Sequence, residues 1–163
     1  MFNLILMHNS LEHLKKPSFY LRNAIKKIKK NGRLIITVPN YNSLQFKIGN
    51  DQWLHLDTPR HLCIFSQKFF ENFFKKYKNI SSLKITPCSF ELEFYGWLQT
   101  IDNFFLKEKN KIFKLLMNIE SSKTSLILGT FRFAIITPIA FLLTIFSMLI
   151  NQSSTIKIIV VKK

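Results

Sequence analysis

With 163 residues, 47% of them apolar, the chain is long enough for one domain with its own core and too apolar for wholesale disorder. A net charge of +15 admits a nucleic-acid or anionic-membrane partner. The same charge also fits a codon drift towards A and T, because Lys, Asn, Ile and Phe are abundant where Gly is scarce; much of the lysine is then solvated surface. Cys63 and Cys88 stand far apart without metal-type spacing, and no signal peptide precedes the first apolar run. That pattern excludes a disulfide scaffold and suggests two free thiols in a reducing cytoplasm.

Leu4-Ile5-Leu6-Met7 is a short continuous apolar run, the pattern of a strand buried on both faces. A polar turn, His8 to His13, separates it from a helix opened by Pro17 and Ser18. Leu21, Ala24, Ile25 and Ile28 recur at i, i+3, i+4, i+7, and Lys26, Lys27, Lys29 and Lys30 crowd the C-terminal end, where cations suit the helix dipole. Asn31-Gly32 ends the helix, with Gly32 expected in the left-handed position. Arg33 to Val38 is a second strand, closed by Pro39-Asn40. Strand, crossover helix and strand make a βαβ unit, so the two strands should be parallel. Ligands of such sheets sit beyond the carboxyl ends of the strands, which places the cleft between the loops 8–13 and 39–43.

Ser66 can cap a helix running to Tyr77, with Phe69, Phe70, Phe73, Phe74 and Tyr77 on its apolar face. Ser82–Thr86 and Thr155–Val161 read as strands. Between them "FYGWLQTIDNFFLKEKNKIFKLLMNI" is aromatic and basic at helical spacing. Leu126 to Ile150 is apolar except for Arg132, with Pro138 near its middle. Phe133 to Ile150 is a borderline length for a membrane span. If 155–161 joins the sheet of 33–38, both ends of the insertion lie on one side, so a single crossing is excluded. Two short helices breaking at Pro138 then form an interfacial hairpin, with Lys107, Lys109, Lys111, Lys114 and Lys123 against anionic headgroups. A lid over the acceptor site or a dimer contact competes with that reading.

The segment "FNLILMHNSLEHLKKPSFYLRNAIKKIKKNGRLIITVPN" resembles the middle of class I S-adenosylmethionine-dependent methyltransferases, and "WLHLDTPRHLCIFS" is similar to a motif of one bacterial subgroup of them. The resemblance covers residues 2–78, is weaker over 79–90 and returns at "STIKIIVVKK". It implies an α/β, Rossmann-like sheet comprising the family's strands four to seven. Residues 1–90 would be the C-terminal part of the core, 91–154 a hydrophobic helical insertion and 155–163 the last strand. The family's glycine-rich cofactor loop has no counterpart here, since no G-x-G occurs among the four glycines, and Asn3 stands where the family shows Asp. The expectation is a C-terminal half left by a split gene, a frameshift or a misplaced start, with the edge of its first strand unpaired. Such a chain should not bind the cofactor by itself and should dissolve poorly. A complementing N-terminal half chain is one partner the resemblance suggests.

By the same resemblance His8, Asn9 and Leu11 border S-adenosylmethionine, while Glu12, His13, Asn40 and Trp53 line the cleft. His8 as a strand cap, and Glu12 with His13 as a local turn bond, remain open alternatives. Methyl transfer to oxygen or nitrogen needs an aligned lone pair and a base for a protonated acceptor. His55 or His61 is the candidate base, and Arg60 the candidate holder of an anionic part of the acceptor. A packing reading, with Asp57 paired to Arg60 and Trp53 filling the cleft, stays beside it. No metal is assigned: His8 and His13 are five apart, which does not set two ligands on one helical face, and no zinc template fits. The acceptor is expected to be a small molecule, a glycan or a lipid-linked compound. Alternatives are a non-catalytic, membrane-associated interaction protein and, on charge alone, a nucleic-acid binder without a recognisable reading element.

Overall fold

A computed structural model describes residues 1–105, 110 and 123–163, with side chains described outside 123–132. Four strands, β1 (Phe2–His8), β2 (Ile28–Pro39), β3 (Ile80–Pro87) and β4 (Thr155–Lys162), form one sheet in the order β1-β2-β4-β3. β1 and β2 are parallel, with His8 opposite Thr37. β4 enters antiparallel between β2 and β3, so the last strand of the sequence sits inside the sheet. The helices are α1 (Pro17–Lys27), α2 (Leu44–Gly49), α3 (Gln67–Phe74), α4 (Phe90–Phe105) and α5 (Lys123–Leu149). One core joins Leu21, Ile25, Leu34, Ile36, Phe70 and Ile158, between the sheet and α1 and α3.

The crossover helix stops earlier than its periodicity implies. α1 ends at Lys27, and Ile28 already belongs to β2, so Lys29 and Lys30 are strand residues. Two tertiary bonds account for the early stop: the Lys162 ammonium donates to the carbonyls of Ile25 (3.0 Å) and Ile28 (2.8 Å), taking the place of a further helical turn. Asn31, at φ 60°, holds the left-handed position expected of Gly32. Gly32 is needed for close approach instead: a Cβ there would lie 2.5 Å from Ile28 Cγ2 and 2.9 Å from the Lys29 carbonyl.

β1 also departs from the expectation of burial on both faces. Ile5 and Met7 pack on the core, but Phe2, Leu4 and Leu6, which point to the opposite face, are exposed, and β2 is the one hydrogen-bonded neighbour of β1 among the described residues.

Ser66 and Ser43 cap α3 and α2, accepting from Phe69 N (3.3 Å) and Phe46 N (3.1 Å). The insertion packs on the domain as a pair of helices. Trp97 and Leu98 of α4 meet Ile136 and Ala140 of α5. α5 runs unbroken through Pro138, which corrects the expected break; burial of Ile136 and Ala140 beside the proline offsets its lost backbone bond. Among the described residues no helix is long and apolar enough to cross a membrane. Lys107, Lys109, Lys111 and Lys114 lie outside the described residues, as does the side chain of Lys123.

A fully buried carboxylate fastens this pair to the domain. Glu93 of α4 accepts from Gln45 Nε2 (3.1 Å), Ser147 Oγ (2.8 Å), Ser154 Oγ (2.7 Å) and the Ser154 amide (2.5 Å). It thereby joins α2, α5 and the entry to β4, and burial pushes its carboxyl above the ordinary range against the pull of those bonds. Glu93→Ala should cost about 3 kcal/mol in urea denaturation, because the buried Ser154 amide and hydroxyl lose their acceptor and the bonds from Gln45 and Ser147 are lost with them; a loss under about 0.5 kcal/mol would contradict the assignment. Gly32→Ala should cost about 1–3 kcal/mol, since its nearest obstacles include backbone.

Candidate active site

Parallel pairing sets the ends of β1 and β2 side by side, and Thr37 ties them. Its hydroxyl lies 2.6 Å from His8 Nδ1, and its carbonyl accepts the Asn9 amide at 3.0 Å. His8 and Asn9 are exposed at this edge, whereas Leu11 is fully buried in the core beneath them. Asn9 takes φ 41°, a left-handed turn that Asn tolerates and that swings the chain away from the strand. Asn40 is buried at the end of β2. Its side chain donates to the Ser153 carbonyl (2.9 Å) and accepts the Asn42 amide (3.1 Å), so both of its polar ends are used in shaping the loop.

The loop 53–65 crosses over the turn after β1 and is stitched to it. The Glu12 carbonyl accepts the Leu62 (2.8 Å) and Cys63 (3.1 Å) amides, and His13 Nδ1 lies 2.9 Å from the Arg60 carbonyl. From the other side α4 holds the start of the loop: Asn103 donates to the Gln52 carbonyl (2.8 Å), and the Leu54 amide donates to Thr100 Oγ1 (3.3 Å). Trp53 is buried and packs edge-on against Phe46 and His55 at 5.2 and 5.3 Å, anchoring the loop. Arg60 is exposed and paired with Asp57 at 2.8 Å.

His55, Asp57, Arg60 and His61 come together with Leu92 and Tyr95 of α4 around a cleft of about 210 Å³. Three of the residues singled out from sequence, His55, Arg60 and His61, therefore share one wall. Trp53 lies behind it, and His8 and Asn9 stand at the strand ends. His61 Nδ1 is 2.8 Å from the His55 carbonyl. The Nε2 of His55 is enclosed without a hydrogen-bond partner, and burial lowers its pKa to about 4, helped by the neighbouring His61. Its imidazole is therefore neutral near pH 7. Tyr95 was not identified from sequence, where "FYGW" reads only as part of an aromatic helix. Its hydroxyl is enclosed without a partner among the described residues, and burial pushes its pKa up to about 12, keeping it a donor.

Residues 1–78 match the family model described as a methyltransferase domain. These residues, just under half of the chain, are similar to that domain. The solved structures agree on the fold. A S-adenosylmethionine-dependent methyltransferase of Thermotoga maritima, described as a possible histamine N-methyltransferase, is 15% identical with a TM-score of 0.52; the match covers 99% of this chain and 56% of that one. A S-adenosylmethionine-dependent methyltransferase of Archaeoglobus fulgidus is 16% identical with a TM-score of 0.51, covering 99% and 59%. Phosphoethanolamine N-methyltransferase 2 of Haemonchus contortus, 9% identical with a TM-score of 0.50, covers 99% and 33%. The chain thus spans just over half the length of the first two and a third of the last. No match is found among curated proteins.

The His55 environment gives a pH prediction. An unfolded His takes its proton near 6.5, while the folded one holds out to about 4, so the unfolded state binds more protons in that window. The stabilising contribution is complete above pH 6.5 and is lost as pH falls towards 4. Urea titrations in EDTA should show the stability difference between wild type and His55→Gln varying across this window and level above it. A difference independent of pH would contradict the buried, neutral ring.

Proposed function

We propose that the chain supplies the acceptor-side wall of a S-adenosylmethionine-dependent methyltransferase that methylates an oxygen or nitrogen of a small-molecule acceptor. The observation carrying this reading is the joining of the turn after β1 to the loop 53–65 beyond the carboxyl ends of two parallel strands, within a stretch that matches a methyltransferase domain. The exposed polar residues His8 and Asn9 fit one side of a nucleoside site, and Leu11 supports them from the core. The cofactor, when bound, supplies an electrophilic methyl group on a sulfonium.

The chain's own residues would then position the acceptor. Arg60 holds an anionic part of it, with Asp57 fixing the guanidinium, and Tyr95 donates to a polar atom inside the cleft. His55 or His61 receives the proton that the acceptor loses. Orientation carries most of the rate, because a bound lone pair held in line replaces a bimolecular encounter.

The second wall, with its glycine-rich loop, would come from polypeptide outside these residues. The unpaired edge of β1, with Phe2, Leu4 and Leu6 exposed, supports that reading. An outer apolar face on α5, with Ile135, Ile139, Leu142, Phe146 and Leu149 exposed, supports attachment to a membrane surface as a further feature. Flotation of the chain with anionic vesicles tests that attachment, and a chain that stays at the bottom of the gradient counts against it.

Titration of the labelled chain with S-adenosylhomocysteine, followed by amide NMR, tests the main reading. Shifts confined to His8, Asn9 and Asn40, with affinity weaker than millimolar, are expected for a single wall. Micromolar binding would overturn the need for a second wall, and shifts elsewhere would overturn the placement of the cofactor.

A further inference from the structure

The fold brings His61 to two sequence neighbours, Glu12 and His13. Glu12 and His13 lie on the turn after β1, and His61 arrives from the crossing loop. One ligand atom from each lies within 4.8 Å of the other two. The imidazole rings of His13 and His61 stand 4.8 Å apart, tilted by 56°.

Hydrogen bonding fixes which ring atoms are available. His13 Nδ1 faces the Arg60 carbonyl at 2.9 Å, and His61 Nδ1 faces the His55 carbonyl at 2.8 Å. A carbonyl only accepts, so each Nδ1 must carry the proton and donate. In the neutral rings each Nε2 is then a lone-pair donor. This is the arrangement by which a backbone carbonyl orients a metal-binding imidazole and raises its basicity.

The carboxylate is the independent sign of a missing ligand. Glu12 is 1% exposed, and its Oε2 is buried without a hydrogen-bond partner among the described residues. Burial raises its pKa, while His61, His13 and His8 pull the other way. A buried acceptor left unsatisfied costs about 1–3 kcal/mol, a penalty that a cation at this point would remove.

We infer that Glu12, His13 and His61 form a binding site for a first-row divalent cation of the zinc type, with His13 on its solvent side. Two imidazoles and one carboxylate are a donor set suited to zinc, cobalt or iron(II), and less so to magnesium or calcium, which prefer all-oxygen shells. A tetrahedral zinc with bonds of about 2.1 Å sets its ligands about 3.4 Å apart. Closure therefore needs modest side-chain rotation, which the exposed His13 permits. Three protein ligands leave a fourth position open. His61 also lines the 210 Å³ cleft, so a bound cation would border the space assigned to the acceptor. With His61 engaged, its Nε2 would no longer be free to accept a proton in the cleft. Binding of the cation does not depend on the methyltransferase reading and is measurable without activity.

The test is titration of the tag-free, EDTA-treated chain with cobalt(II), read by its visible d–d absorption, followed by displacement with zinc. The expected result is one cobalt per chain, bleached by one equivalent of zinc. His13→Ala, which alters an exposed residue, and Glu12→Gln, which keeps the shape of the buried side chain, should each weaken binding at least about tenfold. A Cys63→Ser/Cys88→Ser chain should bind as wild type. Thermal unfolding of the metal-free variants shows which remain folded, and His13→Ala is the variant least exposed to that concern. The inference is overturned if millimolar cobalt gives no d–d bands, if His13→Ala binds as tightly as wild type, or if removing the cysteines abolishes binding.

Discussion

The contact between two loops at the carboxyl edge of the sheet is the constraint on which the rest of the site depends. The turn 8–14 follows the edge strand β1, and the loop 53–65 belongs to a different part of the chain. They are held together by the Glu12 carbonyl accepting two amides and by His13 reaching the Arg60 carbonyl. Each bond is worth only about 1 kcal/mol net. Acting together, they decide that His61 faces Glu12 and that Arg60 and His55 open on the cleft. Without them the functional side chains would sit on separate loops with no common space between them.

The insertion completes that arrangement from the other side. Glu93 couples α4 to α2, α5 and the entry of β4, and α4 in turn holds Gln52 and Leu54 through Asn103 and Thr100. Gly96 permits the close contact, because a Cβ there would meet the Gln45 amide at 2.6 Å. The helices between the last two strands are thus a wall of the cleft, contributing Leu92 and Tyr95. The exposed apolar face of α5 is on the same pair of helices as the buried face that docks on the domain.

Much of this was legible in local pattern. The apolar runs located β1, β2, β3 and β4, the βαβ unit fixed the parallel pairing, and Ser66 marked the start of α3, whereas α2 and its Ser43 cap went unread. The end of α1 was not legible, because its last carbonyls are satisfied by Lys162, a residue more than a hundred positions away. Asn31 and Gly32 exchanged their expected roles, since the close approach of Ile28 to Gly32 is a tertiary fact. Pro138 suggested a break that packing against α4 overrides. In the site, the histidines, Arg60 and Glu12 were recognisable as polar residues in suspicious places. Their grouping was not, because His61 is 48 residues from His13 and spacing rules see only neighbours in sequence. Glu93 and Tyr95 were hidden inside an aromatic helix whose pattern announces packing alone.

The protonation of the histidine rings tests the loop contact most directly. Long-range proton–nitrogen correlation NMR on the metal-free chain, at a pH where the rings are neutral, distinguishes the two tautomers of each imidazole. The account predicts that His13 and His61 both carry their proton on Nδ1, held by the carbonyls of Arg60 and His55, with Nε2 bare. Finding His13 protonated on Nε2 would mean that the two loops are not joined in this way, and His61 protonated on Nε2 would remove the bare nitrogen that the shared site needs.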